Sequence, residues 1–411
     1  MKTQYFGLAA LALGLMTTAA FSQASRLAVQ SEPSHDGTPA WHLGNSFADP
    51  TGFTLAEPDG TVNVIPREQR GQQPRVPGGD AGPQCSHSPV CGRKGGFARG
   101  QLARVNYDQT MGYKFSYPYA VPKGVGGVPS VALDSKGNLW VFKRSPAGVV
   151  QLMKFDRNHK RVLDVPESVI GHQDKAHGMA VDKDDNVWIT DNGQATVMKL
   201  SPEGKLLMTI GVKGQRGDWV EAKNQHLLWQ PVMVAFAPGG DLYIAEGHAN
   251  ESPNDVDSPD PANQEGVARI LHLTADGKFV GQWFGNEVGQ GKFDSTHGLA
   301  IDPKNGDVWI GDREQYRIVV YTADGRFVKT LQMRNLVCAL NFDHQGNPWM
   351  ASGQDGQFLK LNHDGKVLGA VGNGMGIGTG QFTEASYWSF DPRDNLIAGD
   401  TSVGRVTVMT K

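Results

Sequence analysis

The stretch "AHGMAVDKDDNVWITDN", residues 176–192, holds a short apolar run, a polar turn rich in Asp, and a second apolar run with Trp near its middle. That order is the pattern of a β-hairpin. The same order recurs in "VPSVALDSKGNLWVFKR" (128–144), "QPVMVAFAPGGDLYIAEG" (230–247), "THGLAIDPKNGDVWIGDR" (296–313), "VCALNFDHQGNPWMASG" (337–353) and "SYWSFDPRDNLIAGD" (386–400). Six units result.

Most units continue into a further strand pair, as in "TVMKLSPEGKLLMTIG" (196–211) and "RIVVYTADGRFVKTLQM" (317–333). Four strands repeating every 40 to 50 residues or so are the signature of a β-propeller blade. The expected fold is therefore all-β, a six-bladed propeller over 112–411. The last unit ends one strand short at "GRVTVMTK", while "GYKFSYPYAVP" (112–122) offers a strand ahead of the first. We expect 115–121 to pair beside 404–410, which closes the ring and removes exposed edges.

The remaining N-terminal sequence divides in two. Residues 1–24 carry Lys2, the apolar "YFGLAALALGLM" and a small-residue end, which predicts an export signal and a periplasmic or secreted protein. No later stretch reaches the roughly 20 apolar residues of a membrane helix. Residues 25–111, rich in Gly, Pro, Gln and Ser, are expected to be largely irregular. Cys85 and Cys91 in "QCSHSPVCG" predict a local disulfide, with a metal site that includes His87 as the alternative. Cys338 reads as a buried thiol. With 39 basic against 42 acidic residues there is no basic footprint for nucleic acid. A small molecule or a peptide is the expected partner, and oligomeric state is not readable.

In an up-and-down blade, the residue before strand one and the loop after strand two share one face. His177 and His297 precede strand one of alternate units, and Arg144, Asn192, His248 and Arg313 follow strand two. All six belong on the channel mouth. Two histidines at one repeat position favour a shared metal ion over two separate polar contacts, because imidazole is the commonest ligand of zinc and related ions. The acids closing strand two, Asp191, Glu246, Asp312 and Asp400, recur too regularly for chemistry and should accept backbone hydrogen bonds. The glycine-rich 285–294 and 372–384 do not lead from strand to helix, so they read as inter-blade links rather than phosphate loops.

These units resemble NHL-repeat propellers, and "HGMAVDKDDNVWITD", "HGLAIDPKNGDVWIGDRE" and "VALDSKGNLWVFKR" resemble stretches of the peptidyl-α-hydroxyglycine α-amidating lyase family. The resemblance covers roughly 128–411. It implies cleavage of a C-terminal hydroxyglycine to an amidated peptide and glyoxylate. It also implies zinc held by three histidines from alternating blades, which carries over to His177 and His297; calcium is the second candidate ion. The arginines after strand two of the first and fourth blades carry over to Arg144 and Arg313. Two positions depart: Ser386 and Tyr387 stand where the family has its third histidine and an aspartate, and His248 stands where it has a tyrosine. His248 is open between missing ligand, proton carrier and plain loop residue, with Glu251 three residues on to orient it or supply an oxygen. The insertion 250–266 lengthens that loop.

The leading function is thus a metal-assisted lyase acting on a carboxylate-bearing hydroxylated molecule or peptide end, with Arg144, His248 and Arg313 catalytic. The alternative is a non-enzymatic propeller that binds a ligand or partner at the same mouth. A lactone-opening hydrolase ranks last, since no unit begins with a carboxylate.

Overall fold

The computed structural model describes residues 55–56, 62–63, 107, 109–122, 126–173, 175–247, 268–285, 293, 295–313, 315–333, 336–401 and 403–411. The expectations for the signal at 1–24, for Cys85, His87 and Cys91, and for His248, Glu251 and the 250–266 insertion lie outside these residues.

Six four-stranded antiparallel sheets follow one another along the chain. Blade 1 is Ser130–Leu133, Leu139–Phe142, Leu152–Phe155 and Arg161–Val165; blade 2 is Ala176–Val181, Val187–Asp191, Thr196–Leu200 and Leu206–Ile210. Blade 3 opens at Pro231, blade 4 at Thr296, blade 5 at Val337 and blade 6 at Ala385. The first strands of successive blades touch one another, and that of blade 6 touches that of blade 1, so the ring is closed. Burial falls outward: the second strand of blade 2 is buried throughout, whereas Leu206 and Leu207 on its fourth strand are exposed.

Blade 6 takes its fourth strand from the N-terminal side, with Val408 paired to Ser116, Met409 to Phe115 and Thr410 to Lys114. The closing strand is Lys114–Ser116 rather than 115–121. Pro118 cannot donate to a ladder, and the chain turns at Tyr119, whose carbonyl accepts from Val121 N–H. Part of the N-terminal segment is ordered on blade 5: Tyr107 exchanges hydrogen bonds with the Gln357 side chain.

The first hairpin turns of blades 1, 2 and 5 share one chemical pattern. Asp343 Oδ1 accepts from Gln345 and Asn347 N–H, Oδ2 accepts from Trp349 Nε1, and Lys360 lies 2.9 Å from Oδ2 and over the Trp349 ring. Asp182 with Asn186, Trp188 and Lys199 repeats the Asp–Asn–Trp–Lys set; Asp134 holds Asn138 and Lys154, with Lys154 over the Trp140 ring but no bond from its indole N–H among the described residues. Burial pushes the Asp343 carboxyl up, but the bonds from Asn347, Lys360 and Trp349 outweigh it and hold it at about 2.

A second rule ties strand two to the chain before strand one. Asp191, Glu246, Asp312 and Asp400 accept from the backbone N–H of Lys175, Trp229, Ser295 and Thr383. Three also hold an arginine: Glu246 with Arg269, Asp312 with Arg317 and Asp400 with Arg405. These acids organise the mouth face without facing into it. The glycine-rich 372–384 joins blade 5 to blade 6, and Arg405 donates to the carbonyl of Ile377 within it.

Candidate functional site

The strand register sets which residues reach the channel. In blade 2, Ala176 pairs with Asp191 and Met179 with Ile189, so His177 and Gly178 occupy a bulge against strand two. The equivalent bulge falls at His297 in blade 4 and at Ser386–Tyr387 in blade 6. Matching registers place Val232 of blade 3 and Cys338 of blade 5 at the same height.

His177 and His297 meet in the channel with ring centroids 4.7 Å apart, and both are buried. His177 Nδ1 lies 2.9 Å from the carbonyl oxygen of Val232, and His297 Nδ1 lies 2.5 Å from that of Cys338. A carbonyl only accepts, so each Nδ1 carries the hydrogen and donates it. In the neutral ring the lone pair then falls on Nε2, the arrangement in which metal-binding imidazoles are held. Two imidazoles sharing one ion through bonds of about 2 Å at a tetrahedral angle have centroids roughly 5 Å apart. The pair fits that spacing. Among the described residues, however, no group of three His, Cys, Asp or Glu is placed to hold an ion.

Where a third imidazole would stand, Ser386 is buried and Tyr387 turns its ring into the channel. The Tyr387 ring stacks on His297 at 5.8 Å and meets His177 edge-on at 5.5 Å. Its hydroxyl donates to the His297 carbonyl at 2.6 Å. The corresponding positions in blades 2 and 4 are Gly178 and Gly298; a Cβ on Gly178 would meet the Val232 carbonyl at 2.2 Å. Blade 6 alone of these three has space there for a ring.

Asn192, Gly247, Arg313, Gly353 and Thr401 directly follow strand two of blades 2 to 6, and in blade 1 Arg144, one residue further on after Lys143, takes the equivalent place, its N–H donating to the Gly127 carbonyl. The two arginines belong to blades 1 and 4, which are opposite one another in a ring of six. Arg144, half-buried, donates from Nε to the carbonyl of Ala176 beside His177. Arg313 is buried, and its backbone N–H donates to the Ser295 carbonyl. Burial drives the Tyr387 phenol well above its usual range; Cys338 and Glu384 push the same way, and Arg313 and Arg144 pull against them. Both arginines and Glu384 therefore act electrostatically on the ring that lies against the histidines.

Glu384 was not among the sequence candidates. Its carbonyl accepts from Thr401 N–H, as those of Gly127, Lys175, Gln230 and Ser295 accept from Arg144, Asn192, Gly247 and Arg313. At this repeat position the units carry Gly127, Lys175, Gln230, Ser295, Leu336 and Glu384, so Glu384 is its sole carboxylate. Aligning the units two residues further upstream would have found it. It also qualifies the expectation that no carboxylate stands at the start of a unit.

A cleft of about 380 Å³ lies instead on the turn face, lined by Asp182, Trp188, Lys199 and Phe236 among others. Its polar groups are already engaged in the turn of blade 2, and it is remote from the histidines.

No family model matches the chain. It is 28% identical over 236 residues to peptidylglycine alpha-amidating monooxygenase of Rattus norvegicus, a match covering 50% of this chain and 22% of that protein. It is 26% identical over 258 residues to peptidyl-alpha-hydroxyglycine alpha-amidating lyase 1 of Drosophila melanogaster, covering 55% and 43%. A gluconolactonase of Zymomonas mobilis is 25% identical over 220 residues, covering 49% and 55%. The chain thus spans about a fifth to just over half the length of these relatives. Among solved structures, a gluconolactonase from Xanthomonas campestris superposes with a TM-score of 0.52 at 14% identity, over 75% of this chain and 94% of that one, a likeness of fold. The chain is a six-bladed β-propeller, similar over about half its length to proteins named peptidyl-alpha-hydroxyglycine alpha-amidating lyase at 24–26% identity and peptidyl-glycine alpha-amidating monooxygenase at 27–29%.

Proposed function

We propose that the channel mouth binds the carboxylate of a hydroxylated small molecule or peptide end and cleaves it as a lyase, releasing an amide and a 2-oxo acid. The observation that carries this reading is the convergence of His177 and His297, 4.7 Å apart, between blades that present Arg144 and Arg313 from opposite sides. Guanidinium suits a carboxylate because its fork matches both oxygens. The amidating-lyase relatives support the substrate class.

Zinc is the ion we propose for His177 and His297, since imidazole nitrogen suits zinc better than calcium, which takes oxygen ligands. Bound there, it would polarise the substrate oxygen. With Ser386 in blade 6, the protein supplies two nitrogen donors and the rest of the shell comes from the mouth, so binding is weaker than at a three-histidine centre. His248 is proposed to move a proton at the mouth, as imidazole does near neutral pH. We further propose export on residues 1–24.

The test is product analysis. A peptide ending in α-hydroxyglycine, incubated with the protein and zinc, yields equal amounts of amidated peptide and glyoxylate above the uncatalysed rate. A blank-level rate, with the same peptide bound at the mouth, leaves the second reading: a ligand-binding propeller. The replacement of the third imidazole by Ser386 is the observation in that reading's favour.

A further inference from the structure

Asn192 serves none of the needs that asparagine meets elsewhere in this chain. Asn362 Oδ1 accepts the N–H groups of Asp364 and Lys366 in a turn, Asn224 takes the left-handed backbone at φ 50°, and Asn395, buried like Asn192, donates to Asp391. Asn192 is 4% exposed, its φ is not positive, and its Oδ1 accepts no hydrogen bond among the described residues. A carboxamide oxygen taken out of water without a donor destabilises the fold. Nor does the loop need it: Gly247, at the same repeat position, makes the same backbone bond to the carbonyl ahead of strand one with no side chain at all.

The chain holds this oxygen beside the proposed site. Lys175, Ala176 and His177 follow one another into the first strand of blade 2. The Lys175 carbonyl accepts Asn192 N–H at 3.3 Å, the Ala176 carbonyl accepts Arg144 Nε–H at 3.0 Å, and the next residue is the channel histidine. Arg216 fixes the loop further by donating to the carbonyls of Asn192 and Gly193. Asn192 and Arg144 are thus anchored on neighbouring residues. In an N-acyl-α-hydroxyglycine the carboxylate and the amide nitrogen are likewise attached to one carbon.

We infer that Asn192 is a specificity-determining residue, whose Oδ1 accepts the N–H of the substrate's amide while Arg144 holds the carboxylate. The inference rests on the lyase reading above and deepens it, because it restricts the substrates to N-acyl compounds that keep that N–H. An ester of the same shape offers no donor and leaves the buried oxygen unpaired.

The experiment measures binding rather than turnover, by calorimetry on the whole chain supplied with zinc. Benzoyl-glycine carries the carboxylate and the N–H; benzoyloxyacetate carries the same carboxylate with an ester oxygen in place of the N–H, and neither has the hydroxyl that the reaction requires. The parent should bind benzoyl-glycine at least tenfold more tightly than the ester. Asn192→Ala should bring the two affinities within about twofold by weakening benzoyl-glycine, with a melting temperature equal to the parent's or higher, since an uncompensated buried group is gone. Asn192→Asp keeps the acceptor, so it should keep the preference while both ligands bind less tightly beside the added negative charge. A parent that binds both ligands equally overturns the inference and leaves the carboxylate site standing; the oxygen then meets only water. A preference that survives Asn192→Ala also overturns it, because another group then reads the N–H. So does an Asn192→Ala that melts well below the parent or fails to fold, because the side chain is then a brace. A parent that binds neither ligand overturns the carboxylate reading of the mouth and the inference with it, and is recognised from the parent's titration alone.

Discussion

His177 and His297 stand 4.7 Å apart, ring to ring, each held from behind by a carbonyl of the next blade, Val232 for one and Cys338 for the other. The symmetry is that of the repeat: residues at one height donate to residues at the same height in the neighbouring blade. It fixes both tautomers, with the lone pair of each neutral ring on Nε2.

The third place in that pattern gives the first prediction. Converting Ser386 to His together with Tyr387→Gly reproduces in blade 6 the His–Gly pair of blades 2 and 4. Zinc titration should show affinity rising by roughly tenfold or more, as expected on going from two to three imidazole ligands. Unchanged affinity would mean that His177 and His297 do not share an ion.

Arg144 gives the second. Its Nε–H holds the Ala176 carbonyl beside His177, and the residue is half-buried. Arg144→Lys keeps the charge and loses the fork, so affinity for a carboxylate ligand should drop by about 1–3 kcal/mol with little change in melting temperature. Equal affinity in calorimetry would remove Arg144 from the site.

The repeats were readable because the hairpins of blades 1, 2 and 5 are written in local chemistry, an Asp–Asn turn, a Trp six residues after the Asp and a returning Lys, with related polar turns in the others. The histidines were readable because they share a repeat position. Tyr387 was noticed only as a departure, since its approach to His297 depends on how a bulge in blade 6 aims one side chain. Glu384 was missed for a related reason: nothing local marks it, and its setting comes from Arg313, 71 positions away in sequence and two blades away in space. Closure was expected, yet the strand proved shorter because Pro118 ends the ladder.

The turns predict an acid response. In each, burial pushes the carboxyl up and the hydrogen bonds more than offset it, so Asp134 and Asp182 are lowered and Asp343 is held at about 2. A depressed folded-state value contributes stability above the unfolded carboxylate range near 4, and that contribution is lost as pH falls toward 2. For Asp343 it is on the order of 1–2 kcal/mol after solvent screening. Asp343→Asn should therefore melt lower than the parent at pH 7 and converge on it at pH 2. A constant gap across that range would contradict the assignment.

The buried pairs of the mouth predict a contrast in stability. Removing Arg269 as Met strands Glu246, which is fully buried, and should cost about 3–5 kcal/mol in denaturant unfolding. Removing Arg161, whose pair with Asp164 lies at the surface, should cost under about 1 kcal/mol. Equal costs would show that the mouth does not depend on these pairs.

The central claim is that the two histidines act as one centre in a lyase. Its most direct test is kcat/KM for glyoxylate release from a hydroxyglycine peptide, measured for the parent, His177→Ala, His297→Ala and the double variant. Groups that act as a unit are non-additive, so the account predicts that either single change removes nearly all of the rate and the second removes little more. Independent, multiplying losses, or a parent rate that neither change touches, would contradict it.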